Sequence, residues 1–310
     1  MRFLSLSFLC LSFLLSALFS TLTFADDAEL NKKIADCNQL VKNGKPEKAL
    51  DSAGQLLKKN QKNREVVLCK ARAQMALNQF ADAVPTLTTV DQLSNTPNDH
   101  MMSLAMLGNA YKGNQQFNEA VASYQQSMGI AKAQKNKSFE RITYNLVGES
   151  QALTKQFEEA ISSYQEGLKL ALNDNERADA FERIASIYNQ QKKHNQAIEY
   201  QLKATLAYTK YGDLDAQANV GLELGRIYMD AGELDQAEKA IYKILKLAVD
   251  NGGAYWEVKS DLYLAKVKMA RHQSNDAQKL LESAQKLNKE VGDAMLSEDI
   301  AALLNQLSKS

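Results

Sequence analysis

The residues of this 310-residue chain best suited to chemistry are three histidines, His100, His194 and His272, and three cysteines, Cys10, Cys37 and Cys69. The histidines are scattered, and none has a second histidine or a cysteine at metal-ligand spacing. No nucleophile elbow, phosphate-binding loop or zinc-protease signature occurs. The sequence therefore points to no catalytic residue, no metal and no cofactor, and an enzyme is not expected. His194 and His272 fall in turns, where a polar surface residue is the default. The many Asp and Glu residues suit solvated helix faces. Trp256 is the only tryptophan. It reads first as packing against the preceding helix, with an anchor at a groove edge as the other reading.

These residues are set among an alanine that returns in one local phrase. It appears at Ala120, Ala160, Ala197 and Ala237, and in weaker copies at Ala49, Ala83 and Ala277. Consecutive members lie 34 to 40 residues apart, the spacing of a stacked array. About twelve residues upstream each unit carries a small residue: Gly108, Gly148, Ala185, Gly225 or Ala265. Glycine inside a helix costs about 1 kcal/mol relative to alanine, so its recurrence implies close helix approach, with the alanine as its expected mate. Tyr111, Phe117 and Tyr124, then Phe157 and Tyr164, recur at helical spacing and read as core. Pro85 falls inside the second helix of its unit and is expected to bend or break it.

Leu107-Gly108, Tyr111, the Gln-Phe phrase before Ala120, and Tyr124 together resemble the tetratricopeptide repeat family over residues 28 to 290. The resemblance implies an all-α fold: a right-handed superhelical solenoid of about seven antiparallel helix pairs over residues 26–292. A capping helix follows over 293–310, with Leu296, Ile300, Leu303, Leu304 and Leu307 as its apolar stripe. In this family the first helix of each pair lines the inside of the superhelix. Counting from the small position assigns Asn109, Asn145, Glu149, Arg183, Asn189, Arg226, Met229, Lys259, Tyr263 and Lys266 to a partner-binding groove. Glu182, Ser186, Asn219, Leu222 and Leu262 fall on the same face, and Glu149, Asp179 and Glu182 precede the cations, so the groove reads as acidic to basic. Glu238 and Lys239 fall on the outer helices. The family's carboxylate clamp is not recognisable, since Ile34, Cys69, Met102 and Met106 stand at matching places.

Residues 1–25 read as a secretory signal, with a basic start, an apolar stretch and Thr23-Phe24-Ala25 before Asp26. An uncleaved membrane anchor is the alternative. The expected location is exported, periplasmic or secreted. Removing Arg2 leaves 36 Lys+Arg against 37 Asp+Glu, which argues against a nucleic-acid partner. Two cysteines then remain. An exported chain raises the question of a disulfide. However, Cys37 holds the small position of its unit and Cys69 falls two residues before the equivalent place, so small apolar fillers are the expectation. The functional expectation is a scaffold or assembly factor that holds a protein or peptide partner and no small-molecule substrate. The alternative is a peptide-sensing regulator that changes superhelix conformation on binding.

Overall fold

The computed structural model describes residues 28–309, so the expected signal segment and its cleavage site lie outside the described residues. Fifteen helices and no strand occur among those residues. They divide into two compact units, one ending at Lys135 and the other beginning at Asn136. The first unit holds α1 (28–42), α2 (Pro46–Leu57), α3 (Arg64–Ala76), α4 (Phe80–Gln92), α5 (Pro97–Gly113) and α6 (Phe117–Ala133). The second holds α7 (Lys137–Leu153), α8 (Phe157–Lys169), α9 (Asp174–Gln190), α10 (His194–Tyr211), α11 (Leu214–Asp230), α12 (Leu234–Asn251), α13 (Ala254–Ala270), α14 (Ser274–Val291) and α15 (Ala294–Leu307). Among the described residues no helix is long and apolar enough to cross a membrane.

Helices pair in sequence order, and each of the seven recurring alanines is fully buried in the second helix of its pair. Each reversal within a pair uses one left-handed residue five positions before the alanine: Gly44, Asn78, Gln115, Lys155, Lys192, Gly232 and His272, with φ from 56° to 77°. The next amide then donates back to a carbonyl of the first helix, as from Gln116 to Tyr111 (2.8 Å) and from Lys193 to Tyr188 (2.9 Å). Second helices start directly from this turn and have no side-chain cap. Most first helices follow an open connection and are capped instead by a short polar side chain: Asn63, Thr96, Asn136, Asn173 and Asp213.

The small residue of the first helix packs with the alanine, as the spacing suggested: Cys37 with Ala49, Ala71 with Ala83, Ala185 with Ala197 and Ala265 with Ala277 share core clusters. Where the small residue is glycine, its nearest neighbour is the large residue one turn after the alanine. A Cβ added at Gly108 would lie 2.4 Å from the Tyr124 ring, and one at Gly148 would lie 2.7 Å from Tyr164. One at Gly225 would lie 2.5 Å from Ile241. The alanines are small for the same reason: both helices thin their shared seam, and one large side chain fills it.

Two expectations are corrected. Cys37 and Cys69 form a disulfide between α1 and α3, with Cα atoms 6.4 Å apart, and both are fully buried beside Ala49, Ala53 and Ala73. The two-residue offset turns a helical side chain by about 200°. Successive first helices meet through opposite flanks, so half a turn of offset is what brings the sulfurs together. Pro85 does not break its helix: α4 is continuous from Phe80 to Gln92. The proline costs one backbone hydrogen bond, and the helix resumes on its far side. There Thr88 and Thr89 hydroxyls donate to the Val84 and Pro85 carbonyls, each at 3.0 Å.

At the carboxyl end Leu296, Ile300 and Leu303 of α15 are buried on Leu281 and Ala284 of α14, with Leu304 and Leu307 packed beside them. Trp256 packs on the α11–α12 core cluster, and its indole N–H donates to Asp215 of α11 at 2.5 Å.

Candidate partner-binding face

The first helices of the second unit lie side by side, and their polar residues tie them into one face. Asn145 of α7 donates to Asp179 of α9 at 2.9 Å. Asn189 of α9 donates to Asp230 of α11 at 2.7 Å. Trp256 of α13 reaches Asp215 of α11. The exposed edges of α7, α9, α11 and α13 are thus fixed relative to one another.

On α9, Asp179 also accepts from the Arg183 Nε at 2.9 Å, and the guanidinium lies 5.8 Å from the Tyr164 ring centre. Burial pushes the Tyr164 hydroxyl up to about 12. Glu149, Leu153, Tyr164, Arg183 and Gln190 line a cleft of about 260 Å³ here. Glu182 has its carboxyl pushed up to about 7, first by burial and then by the charges of Asp179 and Glu223. The Tyr208 hydroxyl of α10 hydrogen-bonds it. On α11, Arg226 is held by both oxygens of Glu223 and, at 2.8 Å, by Asp230. Its hydrogen bond to Glu223 holds the guanidinium above its ordinary range. On α13 the cations sit over rings. Lys259 is 5.0 Å from the Trp256 ring centre and 5.4 Å from that of Tyr255, and Lys266 is 5.0 Å from that of Tyr263. Burial raises the Tyr263 hydroxyl, and Tyr263 and Met229 both pack on the α11–α12 cluster.

The sequence-assigned residues thus divide into three groups. Glu149, Arg183, Asn189, Arg226, Met229, Lys259, Tyr263 and Lys266 are at least partly exposed on the second unit. Asn145 is buried, and so are Leu222 and Leu262, because neighbouring first helices cover the flank that counting placed in the groove. Asn109 belongs to the first unit, where its side-chain oxygen accepts from Tyr124 at 2.7 Å.

The acidic-to-basic gradient is corrected as well. Glu223 and Asp230, overlooked at the sequence level, neutralise Arg226, and Asp179 neutralises Arg183. Their spacings of three and four residues from each arginine were the available signal. Lys259 and Lys266 make no ion pair among the described residues. Glu238, taken as an outer surface charge, instead pairs with Lys268 at 2.6 Å and with Arg271, joining α12 to α13. Among the described residues no group of His, Cys, Asp or Glu is placed to hold a metal ion.

Family comparison agrees with this geometry. A family model described as Tetratricopeptide repeat matches residues 178–211 and 222–251, the α9–α10 pair and most of the α11–α12 pair. A second of the same description matches residues 103–138, around α5 and α6. No curated protein matches the sequence. Among solved structures, the apo form of RapI aligns with a TM-score of 0.66 at 14% identity, covering 90% of this chain and 84% of RapI. The C-terminal part of a TPR repeat-containing protein from Cytophaga hutchinsonii aligns at 0.58 and 14% identity, covering 86% and 98%. Kinesin light chain repeats from Podospora anserina align at 0.55 and 18% identity, covering 64% and 99%. At these identities the likeness is one of fold.

Proposed function

The chain is a tetratricopeptide-repeat protein, and we propose that it works as a non-enzymatic scaffold or assembly factor in an extracytoplasmic compartment. Repeats of this kind are typically protein-binding scaffolds. The reading places a protein or peptide partner on the first-helix face of the second unit. One observation carries it: on a face whose arginines are already neutralised, Lys259 and Lys266 keep their charge unpaired and are held over aromatic rings. A cation fixed on a ring loses little freedom when an anion or backbone carbonyl meets it, and the ring edges and Met229 offer apolar contact. Asn189 and the Glu149 cleft extend the same surface. Such a mixture suits an extended peptide with acidic side chains.

The proposed compartment rests on the apolar, serine-studded start of the sequence and is supported by the Cys37–Cys69 disulfide, a bond that persists in oxidising surroundings.

The test is affinity capture from envelope extracts with quantitative mass spectrometry. A Lys259→Glu, Lys266→Glu protein should lose its partner at least tenfold. A Lys239→Glu, Lys286→Glu protein, altered on the second helices, should keep it. The opposite outcome would put the binding surface on the other side.

A further inference from the structure

The second helices of the carboxyl-terminal unit carry a different feature. Between α10 and α12 lies a cleft of about 320 Å³ that belongs to no part of the first-helix face. Its floor is Gly221 and Leu224 of α11. Glycine there lets the Ile244 side chain lie against α11, since a Cβ at residue 221 would lie 2.3 Å from the Ile244 Cδ1. One wall carries Leu202, Thr205 and Thr209, the other Ala240, Ile244 and Leu247, each following one helix face for about two turns. On α10, Leu202 is 46% and Leu206 74% exposed, an unusual display for leucines one turn apart. Lys243 and Lys246 also line the cleft and make no ion pair among the described residues, while Asp250 closes one end.

We propose that this cleft binds the apolar tail of a small anionic amphiphile, a medium-chain carboxylate, with its head group at Lys243 and Lys246. Size selects the occupant. Two turns of a partner helix, about 10 Å across with side chains, need roughly 800 Å³, so a helix cannot sink into the cleft. The volume matches about ten heavy atoms at roughly 30 Å³ each. The lining also selects. Its floor and walls are mainly carbon, which suits a methylene chain and leaves a peptide backbone short of partners. Charge sets the polarity: two unpaired ammonium groups favour an anionic head, and Asp250 disfavours one at its own end. The threonine hydroxyls of α10 add no unmet demand, because Thr205 and Thr209 already donate to the Gln201 and Thr205 carbonyls at 2.9 and 2.7 Å.

Calorimetric titration of the intact protein with decanoate, 1-decanol and decyltrimethylammonium tests this. Decanoate should bind one to one, and decyltrimethylammonium at least tenfold more weakly. Thr205→Trp fills the cleft and should weaken decanoate at least tenfold, with a circular dichroism melt to confirm folding. Should that protein not fold, Leu202→Gln replaces it and should weaken decanoate severalfold. Lys243→Gln with Lys246→Gln should weaken decanoate and leave decanol unchanged. No decanoate binding at about 1 mM, or equal binding to the wild type and the cleft variants, overturns the proposal.

Discussion

The ring of Tyr124 lies so close over Gly108 that a single added methyl carbon would sit 2.4 Å from it. Glycine there is a packing requirement that outweighs its helix penalty. Gly108→Ala and Gly148→Ala should each destabilise the protein by about 1–3 kcal/mol, the usual cost of an overpacked seam. Gly129→Ala, in α6 with nothing within 4 Å, should instead stabilise it by about 0.5–1 kcal/mol. Urea melts of the three proteins check both signs. A stabilised Gly108→Ala would mean that the ring moves aside freely.

Glu182 gives the protein a pH dependence of definite direction. Its carboxyl titrates at about 7 in the folded chain, against an ordinary 4.5, because burial and the charges of Asp179 and Glu223 oppose ionisation. The folded state therefore holds a proton that the unfolded chain releases. Its contribution is complete below about pH 4.5 and is lost as pH rises through 7. Tyr208 and Arg183 face the same group and temper the effect, and partial exposure screens it. Glu182→Gln should leave stability unchanged near pH 4.5 and raise it by about 1 kcal/mol at pH 8. Thermal melts across that range decide. A difference that grows toward acid would contradict the assignment.

Removal of α15 should expose the end of the second unit. Leu296, Ile300 and Leu303 are buried against α14, and each contributes on the order of 1.5–3 kcal/mol before entropy is subtracted. Truncation after Gly292 should lower the melting temperature and promote aggregation, because Leu281 and Ala284 lose their cover. An unchanged melt would show that α15 adds nothing to the fold.

Reduction of Cys37–Cys69 opens a 32-residue span of chain, which in the chain-entropy account removes about 3–4 kcal/mol of stabilisation. Dithiothreitol should therefore lower the melting temperature of the oxidised protein. A non-reduced mass two daltons above the disulfide form would show that the thiols stay free.

The alanine phrase made the helix pairs legible, because one small residue per unit at a fixed place has few other causes. The turns were less legible. Asn78, Gln115, Lys155, Lys192 and His272 all adopt the left-handed conformation that glycine usually signals. The hydrogen bonds of the reversal hold them there, and nothing local to those residues announces it. The candidate face was half legible. Helix counting picks out Arg183, Arg226 and Lys266, which are at least partly exposed, but exposure depends on the neighbouring helix, which covers Asn145, Leu222 and Leu262. The locking of Arg226 by Glu223 and Asp230 was present in the spacing and required only that carboxylates be counted with cations.

A stack of pairs behaves like a one-dimensional chain, whose end members have a neighbour on one side only and fray first. Among the described residues, the first and the last helices meet that hazard by different means. At the carboxyl end an extra helix supplies the missing neighbour. At the amino end a covalent link between α1 and α3 removes the opening itself, since the first pair cannot peel away while its sulfur is bound to the second. Amide exchange in α1 should then be slow in the oxidised protein and fast in the reduced one, with α13 and α14 unaffected. The amino end is thus conditional on redox surroundings, while the carboxyl end keeps its protection anywhere.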